Sequence, residues 1–309
     1  MKKITIGELL QWGKEELRTT NLRSPDLDAE VLLMEALNIE RVTVHVYPER
    51  EVESEGEKIF RKWIRRRKAE EPLQYITGKK EFMGLDFHVE KGVLIPRGDT
   101  EVVVEAGINI LKELERKIVF NQKDPKKEGS SKDHQALRAL EIGVGSGAIM
   151  VTLLYFIKSL YMVGTDISPI PLKVTKINGD KLGVGDRLQL LKGSLFEPID
   201  QNLKPEEKVF DLIISNPPYI PYETKETLDR EVKDFEPEEA LFAKDRGLYF
   251  YEKIAGKAPE YLKKNGYLIF EIGYDQGDGV RRILQREGFT GVQILKDLEN
   301  RDRIVLGKL

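Results

Sequence analysis

Ala139-Leu140-Glu141-Ile142-Gly143-Val144-Gly145-Ser146-Gly147 is an apolar run that enters three alternating glycines, and a helical stretch starts near Ala148. A strand that turns sharply into a helix is the opening unit of an open α/β sheet. The glycines let the backbone take positive φ and approach a ligand closely, which a Cβ would block. Their spacing selects among nucleotides. A dinucleotide fingerprint wants two residues between its second and third glycines, whereas only Ser146 separates Gly145 from Gly147, and an acid, Glu141, closes the strand; nicotinamide and flavin are disfavoured. Tyr161-Met162-Val163-Gly164-Thr165 then ends on Asp166, about 20 residues past the glycines, where a carboxylate can accept both ribose hydroxyls. Glycine loop plus distal acid implies an adenosine ligand.

Further apolar segments near 187–191, 209–215, 266–272, 292–295 and 303–307 join those near 138–142 and 161–166, alternating with helical stretches. The expected architecture is a seven-stranded doubly wound, Rossmann-like sheet, mostly parallel with an antiparallel final strand, its ligands at the carboxyl ends of the strands. Residues 1–73 read as a separate all-α domain. Thr5 with Glu8 fits a capping box, Ser24-Pro25 gives an N-cap and a first-turn proline, and Ser54 with Glu57 gives a second box. Ile59, Phe60, Trp63 and Ile64 recur at helical spacing, with Leu9, Trp12, Leu32 and Leu37 as packing partners. The opposite side carries Lys58, Arg61, Lys62, Arg65, Arg66 and Lys68, read equally as a solvated face or a docking surface. From 74 to 97 the period turns extended, as in a hairpin linker. The sheet-bearing domain of 98–309 follows, with a helix over 101–118 and a polar loop over 121–133 to which no chemistry is assigned.

The second informative stretch is Asn216-Pro217-Pro218-Tyr219, delivered off Leu212-Ile213-Ile214. Two prolines fix φ and remove two backbone donors, so a turn is frozen at the end of a buried strand. The Asn216 side-chain oxygen, a proline carbonyl and the Tyr219 ring can together hold an amide or exocyclic amine in one orientation. A purely structural Pro-Pro turn is the competing reading.

Composition narrows the class. Of 309 residues, 40% are hydrophobic and 33% charged, an ordinary globular balance with a length suited to two domains. No apolar run approaches a membrane span and no secretory h-region follows Lys2-Lys3, so a cytoplasmic protein is expected. With no cysteine, and only His45, His88 and His134, disulfides and thiolate metal sites are excluded and a catalytic metal is not expected. A formal charge of −3 argues weakly against a protein that wraps bare nucleic acid.

These motifs, in this order, resemble the release factor glutamine methyltransferases, the PrmC/HemK family of class I S-adenosylmethionine-dependent methyltransferases. The resemblance also rests on Tyr75-Ile76-Thr77-Gly78, Phe82-Met83-Gly84-Leu85, Val93 to Glu101, Phe235 to Leu241, and Glu271-Ile272-Gly273 with Gln276. Gly98-Asp99, where the family usually reads Pro-Glu, and Ser194-Leu195, where an acid often stands, depart from the pattern. The resemblance implies S-adenosyl-L-methionine as cofactor: Gly143, Val144, Gly145, Ser146 and Gly147 around its methionine and ribose, Asp166 on the ribose hydroxyls, Ile167 and Leu195 about adenine, and Ser194 at the exocyclic amine. Glu141 would approach the methionine ammonium or cap the glycine loop. Arg97 would orient a carboxylate or the substrate backbone, or pair with Asp99 or Glu101. Asn216 Oδ1 and the Pro217 carbonyl would accept the target amide's hydrogens, with Pro218 in the same turn and Tyr219 packed on the amide or the sulfonium.

The implied activity is methylation of N5 of the glutamine in the Gly-Gly-Gln motif of class 1 peptide chain release factors, the protein partners, with no direct nucleic-acid substrate. A nucleic-acid methyltransferase acting on adenine N6 or guanine N2 is the alternative, since each is also a planar amine; it would require a basic target-recognition domain. A non-catalytic scaffold would not be expected to keep the glycines, Asp166 and Asn216 intact.

Overall fold

The computed structural model describes residues 3–122 and 136–309. The chain divides into two units: the residues up to Lys79 together with Leu228–Phe235, and Lys80–Thr227 together with Glu236–Leu309.

The first unit is helical: α1 (Ile6–Arg18), α2 (Pro25–Leu37), α3 (Arg41–Val46), α4 (Ser54–Lys68) and α5 (Leu73–Thr77). Thr5 caps α1 as its sequence predicts, with its hydroxyl accepting from Glu8 N–H and the Glu8 carboxylate accepting from Thr5 N–H. α2 opens on Pro25 after Ser24 and closes on Asn38 in the left-handed region. The predicted Ser54–Glu57 box does not form. Ser54 is itself the first helical residue, and the Glu57 carboxylate is drawn down the helix to accept from Arg61 Nε at 2.8 Å. Leu9, Leu32, Leu33, Phe60 and Ile64 fill the core; Trp12 meets Phe60 edge-on and lies 4.2 Å under the Arg61 guanidinium. Trp63 and Leu37 pack at the core's margin.

Much of the basic side of α4 is neutralised within the unit, with Arg66 bidentate on Glu71 and Lys68 on Glu16. Arg67, outside the predicted basic face, turns inward. Its Nε donates to Asp28 at 2.7 Å, Nη2 to Glu231 at 2.8 Å and Nη1 to the Glu71 carbonyl. Glu231 lies on α10 (Arg230–Phe235), the short helix by which the chain re-enters this unit.

In the second unit, β1 (Lys79–Phe82) and β2 (Leu85–His88) form a hairpin whose turn residues Met83 and Gly84 both have positive φ. A hairpin thus forms within the predicted 74–97 segment. Phe82 and Phe87, edge-on to one another, are buried in the sheet's own core beside Val103 and Leu153, while residues 73–77 are helical. α6 spans Thr100–Gln122, past its predicted end, so Asn121 and Gln122 are helical. The rest of the predicted 121–133 loop lies outside the described residues.

The chain then alternates through β3 (Leu137–Ile142), α7 (Ala148–Phe156), β4 (Leu160–Asp166), α8 (Pro169–Lys181), β5 (Leu188–Lys192), α9 (Glu197–Asn202) and β6 (Phe210–Ser215). After the two-residue strand β7 (Ile220–Pro221) and α10 come α11 (Glu238–Leu241), its partner β8 (Phe242–Ala243), α12 (Tyr249–Lys257), β9 (Leu262–Glu271), α13 (Gly277–Arg286), β10 (Thr290–Lys296) and β11 (Asp302–Lys308). The sheet runs β10-β11-β9-β6-β3-β4-β5. All pairings are parallel except those of β11, the predicted antiparallel final strand. From β3 the chain winds outward to β5, then returns to β6 on the other side of β3. That reversal puts a topological switch point between β3 and β6, where an open α/β sheet leaves a crevice. Among the described residues no helix is long and apolar enough to cross a membrane.

Candidate active site

The strands at the switch point deliver the two sequence motifs side by side. Glu141 is in register with Ile214, and the Ser215 hydroxyl donates to the Ile142 carbonyl at 2.7 Å, tying the end of β6 to the end of β3. The loop after β3 folds onto β4, with Gly143 and Val144 N–H both donating to the Thr165 carbonyl. Gly143 and Gly145 have φ of +78° and +53°, and a Cβ on either would project into open space. Gly147 differs. At φ +79° it begins α7, and a Cβ there would stand 2.8 Å from the Thr175 side chain on α8. Asn178, buried on α8, pins the loop from behind: Nδ2 donates to the Ser146 and His88 carbonyls and Oδ1 accepts from His88 N–H.

Around these turns lies a cavity of about 560 Å³. Its wall brings together Glu141, Gly143, Val144, Gly145, Ser146, Asp166, Ile167, Ser194, Leu195, Arg97, Asn216, Pro217 and Pro218 from the sequence prediction, and leaves out Gly147 and Tyr219. Gly147 packs closely between α7 and α8, against Thr175. Asp166 Oδ2 accepts from Gly145 N–H and Oδ1 from Ser168 N–H, which fixes the carboxylate at the mouth of the glycine loop with lone pairs to spare; burial raises its pKa despite those bonds. Leu195 adopts φ +51°, a costly conformation for a branched side chain that puts it in the cavity wall. Glu141 is almost wholly buried, its Oε2 meeting no protein partner. Burial pushes its pKa well up, against the Met150 N–H that would hold it down.

Arg97 pairs with neither predicted neighbour. Its Nη2 donates to Glu236 at 2.5 Å, Asp99 is taken by Arg303 at 3.0 Å, and Glu101 accepts from Met83 N–H. The Asn-Pro-Pro-Tyr turn is held from the β9 side. Gln276 Nε2 donates to the Tyr219 carbonyl and Oε1 accepts from Gly273 N–H. Gly247 approaches the same carbonyl so closely that a Cβ would lie 2.0 Å from it. The Tyr219 ring joins the apolar cluster on this side of the sheet, and burial, followed by the Glu271 charge, pushes its phenol up to about 12.

Glu271, which sequence reasoning left at the border of the site, ends β9. The β6–β9 register aligns Ser215 with Phe270, so the next residues are Asn216 and Glu271. It is 2% exposed, and its Oε2 has no protein partner. Burial raises its pKa to about 7, although Thr100, Arg303 and Asn216 act to lower it. The available signal was positional: an acid at the end of the strand beside the Asn-Pro-Pro-Tyr strand. Thr100, Ile170 and Phe250 also line the cavity; nothing in their local sequence marks them.

The cavity fits an adenosylated amino acid. Two glycines leave room no Cβ occupies, the Asp166 carboxylate is anchored at the wall with lone pairs free for hydroxyl donors, and Glu141 keeps one buried oxygen without a protein partner, a place suited to a cationic donor. The volume is within the range of small-molecule sites.

Residues 8–78 match the PrmC N-terminal domain and residues 133–286 match a methyltransferase domain. With the seven-stranded sheet and its cavity, these define a Rossmann-like methyltransferase, a class whose methyl donor is of the S-adenosylmethionine type. The release factor glutamine methyltransferase of Fusobacterium nucleatum subsp. nucleatum is 37% identical over 295 residues, covering 95% of this chain and 76% of the relative. That of Clostridium acetobutylicum is 38% identical over 291 residues, covering 94% and 93%. Among solved structures, the hMettl16 catalytic domain in complex with MAT2A 3′UTR hairpin 6 superposes with a TM-score of 0.52 at 14% identity, covering 76% of this chain and 79% of that one, a likeness of fold alone. The chain belongs to the release factor glutamine methyltransferase family.

Proposed function

We propose that this chain methylates N5 of the glutamine in the Gly-Gly-Gln motif of class 1 peptide chain release factors, in the cytoplasm, with S-adenosyl-L-methionine as donor. The observation that carries the reading is the cavity wall itself, where Asn216 and Pro217 stand in one pocket with the Gly143–Ser146 loop and Asp166. Family membership over nearly the whole chain, helical unit included, favours a protein amide over a nucleic-acid base.

When bound, the donor supplies an electrophilic sulfonium methyl. Asp166 would hold the ribose hydroxyls, Glu141 the methionine ammonium, Ile167 and Leu195 the adenine faces and Ser194 its exocyclic amine, leaving the sulfonium end toward Asn216. A glutamine amide is a poor nucleophile because its nitrogen lone pair is delocalised into the carbonyl. Asn216 Oδ1 and the Pro217 carbonyl would accept its two hydrogens, which orients the nitrogen and lets positive charge build there as its bond to the methyl carbon forms and the carbon–sulfur bond breaks; the methylated nitrogen then gives up one proton to an acceptor or water. Proline makes this possible: Pro217 and Pro218 have no N–H to compete, and their fixed φ keeps the carbonyls pre-aimed. Tyr219 lies outside the wall, so its part is to carry the turn through its carbonyl bond to Gln276.

The test is incubation of the purified protein with methyl-labelled S-adenosylmethionine and a recombinant class 1 release factor or, separately, DNA and ribosomal RNA, followed by mass spectrometry. Methylglutamine on the Gly-Gly-Gln peptide is the expected result. Label in nucleic acid alone would overturn the reading.

A further inference from the structure

Asn216 can serve as acceptor only if its side-chain amide is turned the right way. Oxygen and nitrogen of an asparagine amide are alike in shape, and the surrounding hydrogen bonds decide which one faces a ligand. Asn216 leaves β6 beside the end of β9, so its neighbour across the ladder is Glu271. A carboxylate there can only accept, so a hydrogen bond between the two would run from Asn216 Nδ2–H to Glu271, and Asn216 acts on the carboxylate in that sense, holding its pKa down.

We propose that Glu271 is the positioning residue of the active site: by accepting from Asn216 Nδ2–H it holds Oδ1 toward the cavity, and its negative charge polarises the amide so that Oδ1 accepts more strongly from the substrate. This rests on the reading of Asn216 as acceptor for the target amide.

Three observations support it. Glu271 lies behind the wall, buried and absent from the cavity lining, whereas Asn216 and Thr100, both of which act on its carboxylate, line the cavity. Its Oε2 has no protein partner, so the carboxylate is not consumed as a structural ion pair. Arg303, the cation that acts on it, is itself divided between Asp99 at 3.0 Å and Asp297 at 3.1 Å. Burying a carboxylate without a committed cation is costly for folding and is kept where the group has work to do.

The groups facing Glu271 are Asp99 just ahead of α6 and Thr100 at its start, Arg303 on β11, Asn216 and Tyr219 on the turn after β6, and Tyr251 on α12, whose hydroxyl donates to the Glu271 carbonyl. Tyr219 and Tyr251 are held neutral by burial throughout the neutral range. Asp99 and Arg303 are paired. Glu271 is thus the group of this cluster whose charge changes near pH 7.

The experiment measures kcat and KM on a release factor substrate from pH 5.5 to 9 for wild type, Glu271→Gln, Glu271→Leu and Asn216→Ala. Wild-type kcat is expected to rise with pH through an inflection near 7. Glu271→Gln, which can still accept from Asn216 but carries no charge, should lose the inflection and run about tenfold below the wild-type plateau. Glu271→Leu, which cannot accept, should lose on the order of 10² in kcat with the KM for S-adenosylmethionine little changed. An inflection that survives in Glu271→Gln, or a Glu271→Leu enzyme with wild-type kcat, overturns the proposal while Asn216→Ala remains impaired. A fully active Asn216→Ala enzyme overturns the reading beneath it as well.

Discussion

Two residues of the cavity wall separate binding from chemistry. In the proposed reading Asn216 stands at the reacting end and Asp166 at the ribose end, so their truncations should fail differently. Asn216→Ala is expected to cut turnover on the order of 10²–10³ while leaving cofactor affinity nearly intact, the cost of losing one preorganised polar contact. Asp166→Ala should weaken S-adenosylmethionine binding in calorimetry far more than release factor binding, and an unchanged cofactor affinity would reject its role. The glycines divide in the same manner. Gly145→Ala places a methyl group in open cavity at positive φ, which should cost about 1 kcal/mol of stability and over tenfold in cofactor affinity. Gly147→Ala meets Thr175 at 2.8 Å and should cost about 2–3 kcal/mol, read by denaturant unfolding, before any effect on affinity. Equal stability losses for the two variants would show that Gly147 has no packing role.

Elements were legible in the sequence where periodicity and termini agreed. β3 and β4 stand within a residue of prediction, because a buried parallel strand is a short continuous apolar run and here a glycine turn and a closing acid mark where each one ends. The Thr5 cap was readable for the same local reason. What could not be read depends on which surfaces meet. The 79–88 hairpin spells a linker, yet two phenylalanines commit it to the sheet core; Gly147 spells a ligand loop, yet α8 comes up against it; Glu271 becomes part of the site only because β9 lies beside β6. Arg67 is the clearest case. A residue in a run of four basic side chains becomes the buried tie between α2, α4 and α10, through Asp28 and Glu231. Removing a buried cation strands its carboxylates, so Arg67→Ala should lower the stability of the helical unit by about 3–5 kcal/mol. The chain's two tryptophans, Trp12 and Trp63, both lie in that unit, and their fluorescence during urea unfolding measures the loss. A shift below about 1 kcal/mol would mean that the triad is solvated and slack.

For the whole molecule the site sets a pH dependence of stability opposite to that of the surface. Paired carboxylates such as Asp26, Glu90 and Asp297 have pKa values lowered by their partners; their contribution is present above the unfolded values and is lost only as acid is added. Glu141, Asp166 and Glu271, at the ends of β3, β4 and β9, are raised, chiefly by burial. A raised carboxyl contributes stability that is complete below its unfolded pKa and lost as pH climbs through the folded one. For Glu271 that window runs from 4.5 to about 7 and corresponds to roughly 3 kcal/mol. Without ligand the protein should therefore melt several degrees lower at pH 8 than at pH 5.5, and Glu271→Gln, which cannot ionise, should flatten that slope and melt above wild type at pH 8. The same variant that slows catalysis would then stabilise the fold, the relation expected where a buried charge is retained for activity rather than for folding. A Glu271→Gln melting curve that falls with pH as steeply as wild type would place the ionisation elsewhere, and if Glu141 meets the methionine ammonium as proposed, saturating S-adenosylmethionine should recover stability most at the alkaline end.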